Sequence, residues 1–271
     1  MLATAGIPVV SSAVASSSAL RTIDRWTPDP VAEALARLRS AVIEDALPAI
    51  GGVIAPDAPL PSPELDTADP ELQAAASSVA RISGVAYACG TGSTGSGFVA
   101  ADDLIVTNAH VVAGVDSVVV ELPNEPAVDG RVVHFDPLVD LAVIAADIEA
   151  DPLPVTAPLP AGADAAVLGY PYGGPFTIRP AAVVSAGPLA TTDIYGGSTV
   201  KREAYVLAAE VHPGNSGGPV LTPSGEVAGV VFARDQENAR VGYAVTSTEL
   251  LPVLAASDAT AAPVSTGACT S

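Results

Sequence analysis

From Ile82 to Thr246 the apolar residues fall into short runs, many of them β-branched, cut by glycine, proline and aspartate. Such spacing predicts β-strands separated by turns. The strands are expected at 82–88, 95–100, 104–107, 117–122, 131–135 and 141–146. A proline-rich join follows at Pro152, Pro154, Pro158 and Pro160, and a second series is expected at 164–169, 177–186, 203–211, 219–222, 226–233 and 240–246. Pro223-Ser224-Gly225 reads as a hairpin turn. Two groups of about six short strands predict a mainly β fold of two packed antiparallel six-stranded β-barrels.

The pattern ahead of the strands is different. Residues 1–28 are rich in Ala, Ser and Thr and lack periodicity. Asp29-Pro30 is a helix cap followed by a first-turn proline, and Val31, Leu35, Leu38, Val42 and Leu47 recur at helical spacing. An amphipathic helix is expected there, with Arg37 and Arg39 outward. Residues 48–68 carry five prolines and read as a linker. Asp69-Pro70 repeats the cap and predicts a short helix through about Arg81, and Thr248–Ala256 is expected to close the chain as a helix despite Pro252. The expected organisation is an N-terminal extension (1–68), a first barrel with its leading helix (69–155), and a second barrel with a C-terminal helix and tail (156–271).

Charge narrows the partners. Eleven basic residues against 30 acidic ones give a net charge of −19, which repels phosphate backbones and argues against nucleic acid. Met1–Leu20 lacks the basic start and clean apolar core of a signal peptide, and no uncharged stretch is long and apolar enough to span a bilayer. Three scattered histidines and two distant cysteines give no metal motif, so neither metal nor cofactor is expected. Cys89 and Cys269 fit two buried thiols in the cytosol or one disulfide in an oxidising compartment.

The chemistry concentrates in Val211-His212-Pro213-Gly214-Asn215-Ser216-Gly217-Gly218-Pro219. A serine between glycines can expose its hydroxyl, and Gly214 can turn its N–H toward the point faced by the N–H of Ser216. Two such donors make an oxyanion hole. An ordinary glycine-rich turn would look similar. The α/β-hydrolase order needs a histidine after the serine, whereas His110, His134 and His212 all precede it. A His, Asp, Ser order remains. His110 follows the run Leu104–Thr107, and Asp140 opens the apolar run Leu141–Ala145 that reads as a covered strand. Asp136, followed by Pro137, reads as a turn, and Asp116 as a loop.

Thr107-Asn108-Ala109-His110-Val111-Val112, then Asp140-Leu141-Ala142-Val143-Ile144, then Gly214-Asn215-Ser216-Gly217-Gly218-Pro219 resemble, in order, the bacterial trypsin-like (chymotrypsin-fold) serine peptidases. Gly95-Ser96-Gly97-Phe98-Val99 and Val241-Gly242-Tyr243-Ala244-Val245 strengthen the match, which spans about residues 82–256. The resemblance implies Ser216 as nucleophile, His110 as general base and acid, Asp140 as orienting carboxylate, and the N–H groups of Gly214 and Ser216 as oxyanion hole. It places Glu210 at the floor of the substrate pocket and Val230, Val231 and Phe232 at its walls. His212 either edges the substrate cleft or is a rim histidine without a catalytic role, and His134 reads as an outward position on a strand.

More narrowly, the chain is similar to the actinobacterial periplasmic, membrane-anchored serine peptidases linked to acid resistance. That likeness implies a Cys89–Cys269 disulfide, a protein or peptide substrate, a monomer, a place outside the cytoplasm, and a membrane link only through helices outside this sequence. It implies a part in acid and oxidative stress. An HtrA-type peptidase fits less well, since no PDZ-sized region follows Ala256. A catalytically silent peptide-binding module and an esterase on the same fold are the competing functions.

Overall fold

The computed structural model describes residues 47–50, 60–87 and 89–270. The helix expected over 30–47 lies outside them, except for Leu47. Among the described residues, thirteen strands and three α-helices carry the fold: β1 (Ala49–Ile50), α1 (Pro70–Ala75), β2 (Val79–Ala86), β3 (Thr91–Ala101), β4 (Leu104–Thr107), α2 (Ala109–Val112), β5 (Ser117–Glu121), β6 (Val128–Asp136), β7 (Leu141–Ala145), β8 (Asp164–Gly169), β9 (Thr177–Thr192), β10 (Thr199–Ala208), β11 (Pro219–Leu221), β12 (Val227–Asp235), β13 (Val241–Thr246) and α3 (Ser247–Ala255).

Barrel one closes in the order β2-β3-β4-β7-β6-β5. The other seven strands run β1-β12-β11-β8-β9-β10-β13, and the extra pairing of β12 with β13 turns all but β1 into a second ring. The expected two-barrel, chymotrypsin-like architecture is what forms.

The side-chain period of two explains why strands near the cleft read as unbroken apolar runs. On β7, Ala142 and Ile144 fill barrel one, while Leu141, Val143 and Ala145 face the other way. There they meet Val230 and Phe232 of β12, Tyr243 and Val245 of β13, and Leu250 of α3. Val231, between the two, fills barrel two with Tyr205 and Leu207. Both faces of β7 and β12 are therefore covered. A fully buried Val, Leu or Phe contributes roughly 1.5–3 kcal/mol, so this shared core welds the barrels.

Several boundaries differ from expectation. The helix opened by Asp69, whose carboxylate accepts from the N–H of Glu71, ends at Ala75, and Ala76–Ser78 form a 3-10 turn. Val79 to Arg81 join β2 because they pair with β3, and Arg81 with β5 as well. The stretch read as linker contains β1, which lies parallel to β12, the N–H groups of Arg234 and Gln236 donating to the carbonyls of Pro48 and Ile50. Proline is no obstacle to a strand that offers only carbonyls at that position.

The β9–β10 hairpin is longer than its sequence suggested. Ala186–Thr192 pairs with 199–205 through Gly187 and Pro188, residues that read as strand breakers. The N–H of Ile194 near its tip donates to the carbonyl of Pro137 on barrel one. The tail beyond α3 also returns to barrel one. Val264 donates to the carbonyl of Val132, and the carbonyl of Thr266 accepts from Gly114.

Candidate active site

His110 stands in α2, a single turn entered from the end of β4. Asp140 closes the turn between β6 and β7. Asp136 builds that turn, its Oδ1 accepting from the N–H groups of Leu138 and Val139 and its carbonyl from the N–H of Asp140. This is the physical reason Asp136, the rival, is not beside the histidine. Asp140 itself takes φ 64°, a left-handed angle that aspartate tolerates better than most residues.

The two side chains meet closely. Nδ1 of His110 lies 2.8 Å from Oδ2 and 3.0 Å from Oδ1 of Asp140, and the His110 main-chain N–H donates to Oδ1 at 3.0 Å. Asn108 Nδ2 donates to the Asp140 carbonyl at 2.7 Å. Both side chains are buried. The carboxylate holds the imidazole proton on Nδ1 and leaves Nε2 free to accept one.

Ser216 is buried beside them. Gly95 marks how near the pieces come: a Cβ built there would lie 2.7 Å from a methyl of Val111 and 3.1 Å from the Ser216 carbonyl. Neither the Ser216 hydroxyl nor Nε2 of His110 has a hydrogen-bond partner among the described residues. Such catalytic hydrogen bonds often tighten only with substrate present.

Several bonds hold the backbone around the serine, three of them to the Ser96 and Tyr172 segments. The main-chain N–H of Ser96 donates to the Ser216 carbonyl at 2.7 Å, and its hydroxyl donates to the Gly214 carbonyl at 2.7 Å. The Pro213 carbonyl accepts from the N–H of Tyr172. In a trans peptide the N–H of Gly214 then points the opposite way from Tyr172. Gly214 has φ 90°, and a Cβ there would press on Tyr172 and Gly173, so only glycine suits the position. Tyr172, itself at φ 57°, stacks on His212 at 5.3 Å, with its hydroxyl 3.2 Å from Nδ1.

The remaining expected residues are placed as follows. Glu210 is exposed, between β10 and the nucleophile turn. Val230, Val231 and Phe232 are fully buried in the cores on either side of β12. Cys89 and Cys269 are joined, with Cα atoms 6.6 Å apart. His134 is half-buried on β6. Among the described residues no three His, Cys, Asp or Glu side chains converge as metal ligands would.

Ser96, Tyr170 and Tyr172 had not been singled out for the site. Tyr170 N–H donates to the Ser96 hydroxyl, so one serine side chain links β3, the Tyr170 segment and the nucleophile turn. The one available signal was that Ser96, between Gly95 and Gly97, lies like Ser216 in a glycine-rich stretch.

Two chymotrypsin-like barrels with an aspartate–histidine dyad beside a glycine-flanked serine define a serine peptidase. A family model for the trypsin-like peptidase domain matches residues 95–230, and the chain belongs to that family. It is 38% identical over 270 residues to the Mycobacterium tuberculosis serine protease Rv3671c (MarP) of strain H37Rv, a match covering 97% of this chain and 68% of the relative. The crystal structure of the active form of Rv3671c protease matches with a TM-score of 0.73 at 38% identity, covering 81% of this chain and 100% of that one. An inactive form gives 0.64 at 39% identity, covering 73% and 98%. A DegP-like periplasmic serine endoprotease of Hahella chejuensis is 34% identical over 175 residues, 60% of this chain and 35% of that protein.

Proposed function

We propose that this serine peptidase is an endopeptidase working through Ser216, His110 and Asp140. The observation that carries the reading is the Asp140–His110 pair, which presents a proton-accepting Nε2 beside a serine whose backbone is held at three points. Ser216 Oγ attacks the peptide carbonyl carbon while Nε2 takes its proton. The carbonyl oxygen becomes an oxyanion facing the N–H groups of Gly214 and Ser216. The C–N bond breaks as His110 returns the proton to the leaving amine. Water then adds to the acyl-enzyme as His110 takes its proton, and the adduct collapses as His110 passes that proton to Ser216 Oγ, releasing the acid.

The resemblance offers Glu210, exposed beside the Ser216 turn, as the floor of the pocket for a basic substrate side chain, and the β12 backbone at Val230–Phe232, whose side chains fill the cores, as its wall. We read the chain as a monomer acting outside the cytoplasm, since a disulfide persists where thiols are oxidised. The membrane tether and the part in acid and oxidative stress rest on the narrower resemblance to the actinobacterial peptidases. Growth of a deletion strain at low pH, complemented with the wild type or with Ser216→Ala, tests that part.

The chemistry is tested by fluorophosphonate labelling and by cleavage of a peptide library. Ser216→Ala should lose both while melting like the wild type. Cleavage by Ser216→Ala at the wild-type rate removes the assignment, and turnover of esters without peptides would favour the esterase.

A further inference from the structure

Arg202 is a charge in an unusual place. On β10 its neighbour Lys201 is exposed, while Arg202 turns inward and is only 3% exposed. A buried guanidinium is costly unless its donors are used. Nε donates to the Leu138 carbonyl at 2.8 Å and Nη2 to the Thr192 carbonyl at 3.1 Å. The plane lies over the Phe232 ring, 5.1 Å from its centroid. Nη1 stands 4.0 Å from Oδ2 of Asp140, the oxygen that faces His110 at 2.8 Å. Leu138 belongs to the same turn as Asp140. One side chain of barrel two therefore grips the turn that carries the barrel-one carboxylate and sets a positive charge behind it.

We propose that Arg202 is a positioning residue of the active site: it fixes the Asp140 turn across the barrel boundary and so holds the carboxylate that orients His110. The other charged groups near Arg202 are Asp136 of the same turn, Asp193 at the hairpin tip and Glu249 of α3. Burial pushes the guanidinium below its usual value, and Asp140, Asp136, Glu249 and Asp193 push it back up. Arginine stays charged in such a setting where lysine would be easier to neutralise.

The proposal rests on the assignment of His110, Asp140 and Ser216. The test measures kcat and KM for a peptide substrate from about pH 4 to about pH 9, with active sites counted by fluorophosphonate titration. It compares the wild type, Arg202→Met, Arg202→Lys and Ser216→Ala. Arg202→Met should lower kcat about tenfold to a hundredfold with KM nearly unchanged. A purely structural loss would reduce the count of active sites and leave kcat per counted site in place. Arg202→Lys keeps a donor without the fork, and should recover only part of kcat. A wild-type kcat per counted site in Arg202→Met across that pH range overturns the proposal. Should Arg202→Met fail to fold, Arg202→Gln, which retains a donor for the Leu138 carbonyl, carries the same comparison. Cleavage by Ser216→Ala would remove the underlying assignment instead, so the two failures are distinguishable.

Discussion

Ser96 on barrel one donates its main-chain N–H to the carbonyl of Ser216 on barrel two, at 2.7 Å. The proposed nucleophile of one barrel is thus registered against the strand that leads to the proposed catalytic histidine of the other. The Ser96 hydroxyl extends the registration by donating to Gly214 and accepting from Tyr170. Ser96→Ala should keep the main-chain bond and lose both side-chain bonds. Leaving the Gly214 carbonyl and the Tyr170 N–H unpaired should cost about 1–3 kcal/mol of stability. It should also lower kcat more than it raises KM, because the oxyanion turn loses one of its holds. Melting curves and steady-state kinetics check it, and a variant with unchanged kcat would show that the turn needs only its backbone bonds.

The bond between Cys89 and Cys269 closes a loop of sequence separation 180. In the chain-entropy model so long a loop gives roughly 5 kcal/mol as an upper value. Cys89→Ser should therefore lower the melting temperature clearly. It should lower turnover as well, since Gly114, packed on Cys269, immediately follows the segment that carries His110. Calorimetry and kinetics of Cys89→Ser, set beside the reduced wild type, test both effects.

High pH should destabilise the fold through its tyrosines. Burial pushes the Tyr170 phenol up to about 12, with Arg81 lowering it and Glu121 raising it, and burial beside Asp235 raises Tyr243 further. Both are neutral in the fold above the pH at which a free tyrosine ionises, near about 10. Their contribution is complete below that pH and is lost as pH rises through the folded values. The chain has six tyrosines against a single lysine, Lys201, and burial raises the phenols of Tyr195 and Tyr205 as well, so tyrosines dominate the titration in that window. Ultraviolet absorbance of tyrosinate and melting temperature should change together. Tyr170→Phe should soften the fall, and an equal fall in that variant would exclude Tyr170 as a cause.

The strands β4 and β8 match their expected bounds residue for residue, because each is a compact apolar run cut off by turn residues. The choice of Asp140 over Asp136 was legible for a similar reason: a carboxylate opening a doubly covered strand has to be buried. Partners set by tertiary pairing were not legible. Nothing local tells that Val79 leaves the helix for a strand between two neighbours, or that Gly187 and Pro188 continue a ribbon standing off the barrel. Arg202 sits between Lys201 and Glu203 and looks like part of a solvated face. Its burial follows only from the pleat and from the turn of the other barrel, features separated from it by more than 60 residues of sequence.

The cystine encloses His110, Asp140 and Ser216 in one covalent ring of chain. A single cut in any loop between Cys89 and Cys269, including an attack by another molecule of the same peptidase, opens that ring without releasing either fragment. Such a nicked molecule keeps both barrels together and runs as one species until it is reduced. A cut between β1 and α1 has the opposite effect: what precedes it is held to barrel two without a covalent link, through the pairing of β1 with β12 and the packing of Leu47 in that barrel's core. Self-digestion there would release the N-terminal piece while the cystine-closed ring persists.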